Sequence, residues 1–409
     1  MRTSFRSAFG RSFLGSVRWL IAVLAVPAVA AAQLQGGADI NPGQAPGGDE
    51  AADQRYIVTF RRPPGERSAD DRRVEAEALV AAGRRSVQAT GGRVLRELPS
   101  VTAVAAWLPE QALEALRQDP KVERIEVDAR RYLLQSGPPW SDTSQGGEVI
   151  PYGISMVQAG QLSDAAAGNR KVCIIDTGYY RGHDDLQYAH VTATPDAATG
   201  DPFIDPHGHG THVAGTIAAV GGNGIGVRGV NPSQRIKLHI VKAFGKFGTW
   251  IYSSDLVDAL SRCREAGAHV ISMSFGGPAP VTAEATAFAD AYAAGILPIA
   301  AAGNDGNSTY NYPASYESVV SVAAVDANEN AASFSQSNDD VELAAPGVAV
   351  LSTLPPPAGS AAWNGTSMAT PHVAGVAALV WSYNPSWTSA QIRQALRQTA
   401  KDKGPAGKD

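Results

Sequence analysis

The sequence predicts an α/β protein, in which a parallel sheet flanked by helices on both faces follows a small α+β domain. Short apolar runs, such as residues 171–176 and 236–241, alternate with helical stretches over the C-terminal two thirds of the chain. Residues 55–127 instead give the order βαββαβ, which is typical of a small antiparallel sheet with two helices on one face. At 409 residues the chain is also longer than one typical domain.

The first 32 residues have the composition of a secretory signal peptide. Four arginines precede an apolar run over residues 19–32, which ends in small residues of the Ala-x-Ala type. The run is shorter than the roughly 20 residues that span a membrane. We therefore expect a secreted, extracellular protein that makes no membrane contact once the signal is removed. Residues 33–54, rich in Gly, Ala, Pro and Asp, predict a linker.

The small domain is predicted to cover residues 55–134. Its strands are expected at 56–60, 93–95, 101–108 and 122–127, with helices over 69–89 and from Pro109 onward. Between residues 55 and 131 there are 15 Lys and Arg against 12 Asp and Glu, a net charge of +3. From residue 132 onward the counts are 15 and 23, a net charge of −8. Opposite charges on two linked domains favour docking.

The larger domain, residues 135–409, has apolar runs of the kind that form buried parallel strands. They are predicted as strands at 171–176, 236–241, 269–273, 296–301 and 319–325, with helices between them at 254–266 and 283–294. Active sites in such sheets lie outside the carboxyl ends of the strands. Polar residues at those ends are therefore the candidate functional residues.

Four such residues occur in the chain order Asp, His, Asn, Ser. Asp176 ends a strand, His209 stands at a Gly-rich helix entrance, and Asn304 follows a strand. Ser367 precedes an Ala- and Val-rich stretch, and a helix starting just past it would aim free N–H groups at whatever the serine attacks. Taken singly, Ser367 is typical of a helix cap and Asp176 of a turn cap. Together they supply a nucleophile, a base, an orienting acid and an oxyanion donor.

Residues 175–178, 209–216, 302–304 and 365–369 resemble the four signatures of subtilisin-like serine proteases, and the likeness runs from about residue 151 to 409. The resemblance implies that Asp176 orients His209, that His209 deprotonates Ser367, and that the Asn304 amide and the Ser367 N–H bind the oxyanion. It identifies the chain as a serine endopeptidase acting on polypeptides.

The resemblance also implies a substrate groove, although each of its residues is also compatible with ordinary packing at a sheet edge. One wall of the main specificity pocket would be Ser274, Phe275 and Gly276, and the other Ala302 and Gly303, with Asn311 near the floor. Phe247 and Gly248 would form a second substrate-pairing strand, with Trp250 over a more distant pocket. The glycines and the lack of an evident carboxylate predict a preference for large apolar residues.

A structural Ca²⁺ site is implied in the same way. Its ligands would be the side chains of Glu148, Asp185 and Asn223 and the carbonyls of Gly221, Ile225 and Val227. The alternative is a solvated Gly-rich turn over residues 221–226.

The small domain looks like the family's propeptide inhibitor. We expect the enzyme to cut its own chain between Arg131 and Gly147, after Leu134, because residues 132–134 form an extended apolar tripeptide. The chain stops before the segment with which such domains usually end, which predicts a trimmed C-terminus. We expect a monomer without a nucleic-acid partner.

Two other functions are compatible with parts of the sequence. His207, His209 and His212 resemble a metal-binding cluster. A metallohydrolase, however, leaves Asn304 and Ser367 without a role. An inactive binding domain is the second alternative, but every catalytic position is filled. Cys173 and Cys263 permit either one disulfide or two buried thiols.

Overall fold

A computed structural model of the protein describes residues 54–64, 68–135, 147–245, 248 and 250–403. The predicted signal peptide, the linker up to residue 53 and Phe247 lie outside these residues, as does most of the predicted cleavage junction. Within them, no helix is both long and apolar enough to cross a bilayer.

The small domain has the predicted βαββαβ order. Its elements are β1 (Arg55–Phe60), α1 (Ala69–Ala89), β2 (Arg93–Leu98), β3 (Ala103–Trp107), α2 (Glu110–Arg117) and β4 (Val122–Val127). The strands form an antiparallel sheet in the order β2-β3-β1-β4. Ser68 starts α1, because its side chain accepts a hydrogen bond from the Asp71 N–H at 3.1 Å.

The two faces of this sheet pack against different partners. Val58 and Phe60 point to one side and pack with the apolar faces of α1 and α2. Ile57 and Ala103 point to the other side and join the core of the large domain. Because side chains alternate along a strand, one face of the small sheet packs in the core of the small domain and the other face packs in the core of the large domain.

The remaining strands and α-helices follow the small sheet along the chain, and all of them except the first strand belong to the large domain. They are β5 (Arg130–Leu133), α3 (Tyr152–Met156), β6 (Lys171–Asp176), β7 (Val191–Thr194), α4 (His209–Ala218), β8 (Lys237–Lys242), β9 (Ile251–Tyr252), α5 (Ser253–Glu265), β10 (Val270–Met273), β11 (Phe275–Gly276), α6 (Thr282–Ala293), β12 (Leu297–Ala301), β13 (Val320–Val325), β14 (Val341–Pro346), β15 (Val350–Thr353), β16 (Ser360–Trp363), α7 (Thr366–Tyr383) and α8 (Ser389–Thr399).

Seven strands form a parallel sheet in the order β14-β13-β12-β10-β6-β8-β7. One face packs against α4 and α7, through residues such as Val213 and Ala374. The other face packs against α5 and α6, through residues such as Leu260 and Phe288. The predicted fold class is therefore confirmed, since helices cover both faces of a parallel sheet.

Strand β5 belongs to the sequence of the small domain but pairs with the large one. It lies between β11 and β9 in a three-stranded sheet and runs antiparallel to both. Leu133 is opposite Phe275, and Arg131 is opposite Ile251. This places the end of the small domain in a groove of the large domain.

The two cysteines form a disulfide. Cys173 in β6 is bonded to Cys263 in α5, and neither residue is exposed. The bond joins the central sheet to a covering helix and spans 90 residues of sequence. A loop of that length corresponds to roughly 4.6 kcal/mol of stabilisation in the chain-entropy account.

Candidate active site

Asp176 and His209 meet at the carboxyl end of β6. The Asp176 Oδ1 atom lies 2.7 Å from His209 Nδ1, and neither residue is exposed. The same carboxylate oxygen accepts the Thr177 N–H at 2.7 Å. These contacts hold the imidazole in one orientation, and His209 Nε2 has no hydrogen-bond partner among the described residues.

The start of α4 positions His209 and is capped from within the large domain. Asp205 accepts hydrogen bonds from the Gly208 N–H at 2.9 Å and the Thr211 N–H at 2.9 Å. The Thr177 hydroxyl accepts the Gly210 N–H at 2.8 Å. Gly210 lies so close to β6 that an added Cβ would be 2.1 Å from the Gly178 carbonyl oxygen. Asp205 was not among the residues predicted from the sequence, although an Asp just before a predicted helix start is a capping signal.

Ser367 lies in the first turn of α7, which begins at Thr366, before Ser367 rather than just past it as predicted. Its hydroxyl donates to the Ser274 carbonyl at 2.8 Å, and the Ser274 hydroxyl donates to the Ser367 carbonyl at 2.9 Å. The predicted hydrogen bond from Ser367 to His209 is not formed in this arrangement. The hydroxyl has to leave Ser274 before it delivers its proton to an imidazole.

The two ends of the Asn304 side-chain amide differ in their contacts. Its Oδ1 atom accepts the Thr366 N–H at 2.9 Å and the Thr366 hydroxyl at 2.8 Å, which caps α7. Its Nδ2 atom is buried and has no hydrogen-bond partner among the described residues. An unused buried donor is rare and calls for an explanation.

The carbonyl of Leu134 lies near this donor, beside Gly365. It accepts the Ser367 N–H at 3.2 Å, while the Leu134 N–H donates to the Ser274 carbonyl at 3.2 Å. A Cβ added to Gly365 would lie 2.6 Å from the Leu134 oxygen and 3.2 Å from Asn304 Nδ2. With a φ of 145°, Gly365 provides both the backbone conformation and the space for this approach.

The residues predicted for the main pocket are brought together. The Asn311 Nδ2 atom donates to the Ala301 carbonyl at 3.3 Å, and an added Cβ on Gly276 would be 2.0 Å from the same nitrogen. Ala302 follows β12 directly and is buried. Gly303 has a φ of 124°, and its N–H donates to the Thr366 hydroxyl at 3.3 Å. Ser274, Phe275 and these residues therefore border one region beside Leu134.

The second predicted substrate strand lies on the other side of β5. An added Cβ on Gly248 would be 3.0 Å from the Leu133 side chain and 2.5 Å from His207. The Arg130 guanidinium stacks on the Trp250 ring, and its Cζ atom lies 4.4 Å from the ring centre. Phe247 lies outside the described residues.

The three histidines of the alternative metal cluster do not share a ligand-binding point: His209 faces Asp176, His212 faces two backbone carbonyls, and His207 Nδ1 has no hydrogen-bond partner among the described residues. His212 Nε2 is 3.1 Å from the carbonyl oxygens of both Val350 and Ala361, and its ring stacks on Trp363 at 4.8 Å. Burial lowers the pKa of His212 to about 3, and burial also lowers that of His207. No group of three His, Cys, Asp or Glu residues suited to a metal occurs in the described part of the chain.

The predicted calcium ligands lie on one loop and its neighbours. Asp185 accepts the Asn223 side-chain N–H and the Val227 N–H, both at 2.7 Å, and burial raises its pKa. The Glu148 carboxylate accepts the Gly222 N–H and forms an ion pair with Arg228 at 2.7 Å. Partial burial acts to raise the Glu148 pKa, but the contacts with Gly222 and Arg228 outweigh it, so the pKa is lowered.

These oxygen donors fit a hard cation such as Ca²⁺ in chemical type. In the described residues no hydrogen bond is donated to the carbonyls of Gly221, Ile225 or Val227. Arg228 is the exception to the fit, because it already neutralises Glu148.

The small domain caps two helices of the large domain. Glu126 accepts the Thr282 and Ala283 N–H groups of α6 at 2.9 and 2.8 Å. Asp128 accepts the N–H and hydroxyl of Ser254 in α5 at 2.9 and 2.6 Å. The negative charge of both carboxylates also interacts favourably with the positive ends of the helix dipoles.

Ion pairs surround these caps. Arg55 pairs with Asp128 at 2.6 Å, and Arg96 pairs with Asp255 at 3.1 Å and Asp258 at 2.7 Å. Arg55 also pairs with Asp255 at 3.2 Å, so two arginines of the small domain face Asp255 and Asp258 of the large domain.

The chain is similar to known proteins in both sequence and fold. The sequence profile described as the Subtilase family matches residues 167–409. Subtilisin amylosacchariticus from Bacillus subtilis subsp. amylosacchariticus is 38% identical over 363 residues, covering 86% of this chain and 87% of the relative. M-protease from Shouchella clausii (strain KSM-K16) is 41% identical over 321 residues, covering 76% and 77%.

One solved structure with a similar fold is the psychrophilic subtilisin-like protease Apa1 from the Antarctic psychrotroph Pseudoalteromonas sp. AS-11. It is 34% identical in sequence and superposes with a TM-score of 0.60. The match covers 64% of this chain and 94% of that one. The sequence match to the Bacillus relative extends further, since 86% of this chain is more than residues 167–409 contain.

Proposed function

Because the chain belongs to the subtilase family and is a serine endopeptidase, we propose that Asp176, His209 and Ser367 are its catalytic triad. We further propose that it is made as a secreted zymogen whose residues 55–134 are cut off after Leu134. The observation that carries the proposal is the Leu134 carbonyl, which accepts the Ser367 N–H at the end of a strand paired on both sides.

The proposed reaction begins when the Ser367 hydroxyl turns from Ser274 and attacks the Leu134 carbonyl carbon. His209 Nε2 takes the hydroxyl proton, and Asp176 stabilises the resulting imidazolium. The negative charge that forms on the Leu134 oxygen receives hydrogen bonds from the Ser367 N–H and Asn304 Nδ2. The buried, unused amide of Asn304 supports this role.

The intermediate then collapses and the bond from Leu134 to Gln135 breaks. His209 returns its proton to the leaving nitrogen, which becomes a free amine, and Leu134 remains esterified to Ser367. A water molecule attacks the ester as His209 takes its proton. The products are a Leu134 carboxylate and the restored serine hydroxyl.

The same groove is proposed to bind other polypeptides by strand addition between β11 and β9. Main-chain hydrogen bonds supply affinity, and the region bordered by Gly276, Gly303 and Asn311 accepts a large apolar residue before the cut. Until it is degraded, the small domain blocks this groove and acts as an intramolecular inhibitor. Its capping contacts with α5 and α6 support a second role in folding the large domain.

We also propose a structural Ca²⁺ bound by Glu148, Asp185, Asn223 and the carbonyls of Gly221, Ile225 and Val227. When bound, the ion would neutralise carboxylates that now depend on Arg228 and on backbone N–H groups. It supplies stability and takes no part in the reaction.

A labelling experiment tests the proposed nucleophile. The full chain and two variants are expressed, treated with a phosphonyl fluoride and analysed by peptide mass spectrometry, with hydrolysis of a peptide anilide measured in parallel. We expect wild type to carry the label on Ser367 and lose activity, and Ser367→Ala to show turnover lower by roughly a millionfold. Ser321→Ala is the matched control, because that buried serine has a hydroxyl without a described partner. Full activity in Ser367→Ala contradicts the proposal.

A further inference from the structure

Arg131 is the fourth residue before the proposed cut, counting back from Leu134 as the first. Its side chain is not exposed, and it heads the largest fully buried side chains in the described residues. The guanidinium forms two hydrogen bonds with Glu284, Nε to Oε1 at 3.2 Å and Nη2 to Oε2 at 2.6 Å. Glu284 is equally buried, with no exposed side-chain surface.

The pocket around this ion pair is built by the large domain. Glu284 lies in the first turn of α6, and Tyr316 is fixed nearby by hydrogen bonds of its hydroxyl to the Val281 N–H and carbonyl at 2.9 and 3.1 Å. A Cβ on Gly277 would lie 3.2 Å from Arg131 Nη1 and 2.4 Å from the Arg130 carbonyl oxygen. The glycine therefore leaves the space through which the arginine enters.

The chemistry of the pocket suits arginine in particular. A planar guanidinium matches a carboxylate with two parallel hydrogen bonds, which a lysine ammonium does not do. A carboxylate that is buried without a partner is strongly unfavourable, so a substrate lacking the cation leaves Glu284 poorly solvated. Once the prosegment leaves, the next chain laid between β11 and β9 brings its own fourth residue to Glu284.

The residue before Arg131 is also an arginine, and its guanidinium makes a weaker contact, with an aromatic ring. Arg130 lies over the ring of Trp250 at 4.4 Å, and Trp250 packs edge-on against Tyr252 at 4.7 Å. This cation–π contact is at the rim, where Arg130 remains partly exposed.

We propose that Glu284 makes the enzyme selective for arginine at the fourth position before the cut. The same buried ion pair then selects both the enzyme's own prosegment and its polypeptide substrates. The inference rests on the proposed function, since it takes the Leu134 carbonyl as the one that Ser367 attacks.

The test compares peptide p-nitroanilides of the sequence Arg-X-Tyr-Leu-Leu, in which X is arginine, citrulline, lysine or leucine. Citrulline is the matched control, because it keeps the shape of arginine without its charge. For enzyme obtained by expressing the full chain, we expect kcat/KM for arginine to exceed that for citrulline by about a hundredfold. In Glu284→Gln we expect the ratio to fall below about threefold. Ratios within one preparation cancel differences in the concentration of active enzyme.

Equal kcat/KM values for arginine and citrulline in wild type overturn the inference, and so does an unchanged ratio in Glu284→Gln. A chain that hydrolyses none of the peptides contradicts the proposed function instead. Maturation provides a second readout if the Glu284 variant does not fold. We expect Arg131→Leu in the full chain to slow cleavage after Leu134 at least about tenfold, while Arg124→Leu, an exposed site on β4, matures at the wild-type rate. Equal maturation rates in both variants overturn the inference.

Discussion

The helices of the large domain begin in two different ways. At the reaction centre, α4 is capped by Asp205 and α7 by Asn304, both from the large domain itself. On the opposite face of the sheet, α5 and α6 are capped by Asp128 and Glu126 of the small domain. Loss of the small domain therefore removes these caps from α5 and α6, although Asp255 of α5 still accepts the Tyr252 N–H at 3.1 Å. The caps of α4 and α7 stay intact. Under the proposed function, this difference would let one segment assist folding and then leave an active enzyme.

Among the capping residues, the largest effect is expected at Asn304, whose variants separate capping from catalysis. Asn304→Ala removes both the cap and the oxyanion donor, and we expect kcat to fall roughly a hundred- to a thousandfold with little change in KM. Asn304→Asp keeps the oxygen that accepts from Thr366 but loses the donor. We expect a similar or larger loss of kcat, with a smaller fall in melting temperature than in Asn304→Ala. A rise in KM at unchanged kcat assigns Asn304 to substrate binding and contradicts this account.

Asp128 provides a pH-dependent test of the docked pair. Burial raises the pKa of its carboxyl to about 6 in the folded chain, although Arg55 and Ser254 favour the charged form and Asp255 opposes it. The unfolded value is lower, so the contribution of Asp128 to stability is greatest below about pH 4 and is lost as pH rises through 6. A shift of about two pKa units corresponds to roughly 3 kcal/mol.

We expect the melting temperature of uncut Ser367→Ala protein to depend less on pH between 4 and 7 once Asp128→Asn is added. Asparagine retains a capping oxygen and does not titrate, which makes it the matched replacement. Superimposable pH profiles with and without Asp128→Asn contradict the assignment.

Calcium is expected to stabilise a third region, the loop after α4, which stays with the large domain after the cut. A free concentration of 100 times Kd adds about 2.7 kcal/mol of stability. We expect EGTA to lower the melting temperature of both the uncut and mature protein, and Asp185→Ala to remove the response. Arg228→Gln should enlarge it, because Glu148 then lacks its present counter-charge. Identical melting curves with calcium and EGTA rule out the site.

The smallest effect is expected at Glu126. Glu126→Ala leaves two N–H groups of α6 without their acceptor, which corresponds to about 1 kcal/mol. In uncut Ser367→Ala protein we expect a melting temperature lower by about 2 °C. Glu123→Ala, an exposed carboxylate on the same strand, is the control. An equal change in both variants shows that the cap does not contribute.

The catalytic candidates were readable from the sequence because each lies in a short local pattern, an apolar strand or helix ending in a polar residue. Asp176, His209, Asn304 and Ser367 follow from such patterns, and parallel topology brings the strand ends together. The confirmed fold class followed from the same periodicity.

The contacts between domains were not readable in the same way. Arg131 and Glu284 are 153 residues apart, and nothing local to either residue indicates the other. Sequence also left the pairing of Cys173 and Cys263 open, because it gives no separation between a strand and the helix above it. Such contacts depend on how finished elements dock, which is a property of the tertiary structure.

The account rests on the bond after Leu134, and one measurement tests it most directly. Wild-type full chain and Ser367→Ala are expressed side by side, and the products are analysed by intact mass and N-terminal sequencing. We predict a wild-type large domain that begins at Gln135, together with a fragment ending at Leu134, and a Ser367→Ala chain that stays uncut at this bond. A wild-type product that keeps residues 55–134 attached, or a Ser367→Ala chain cut at the same bond without added protease, contradicts the account.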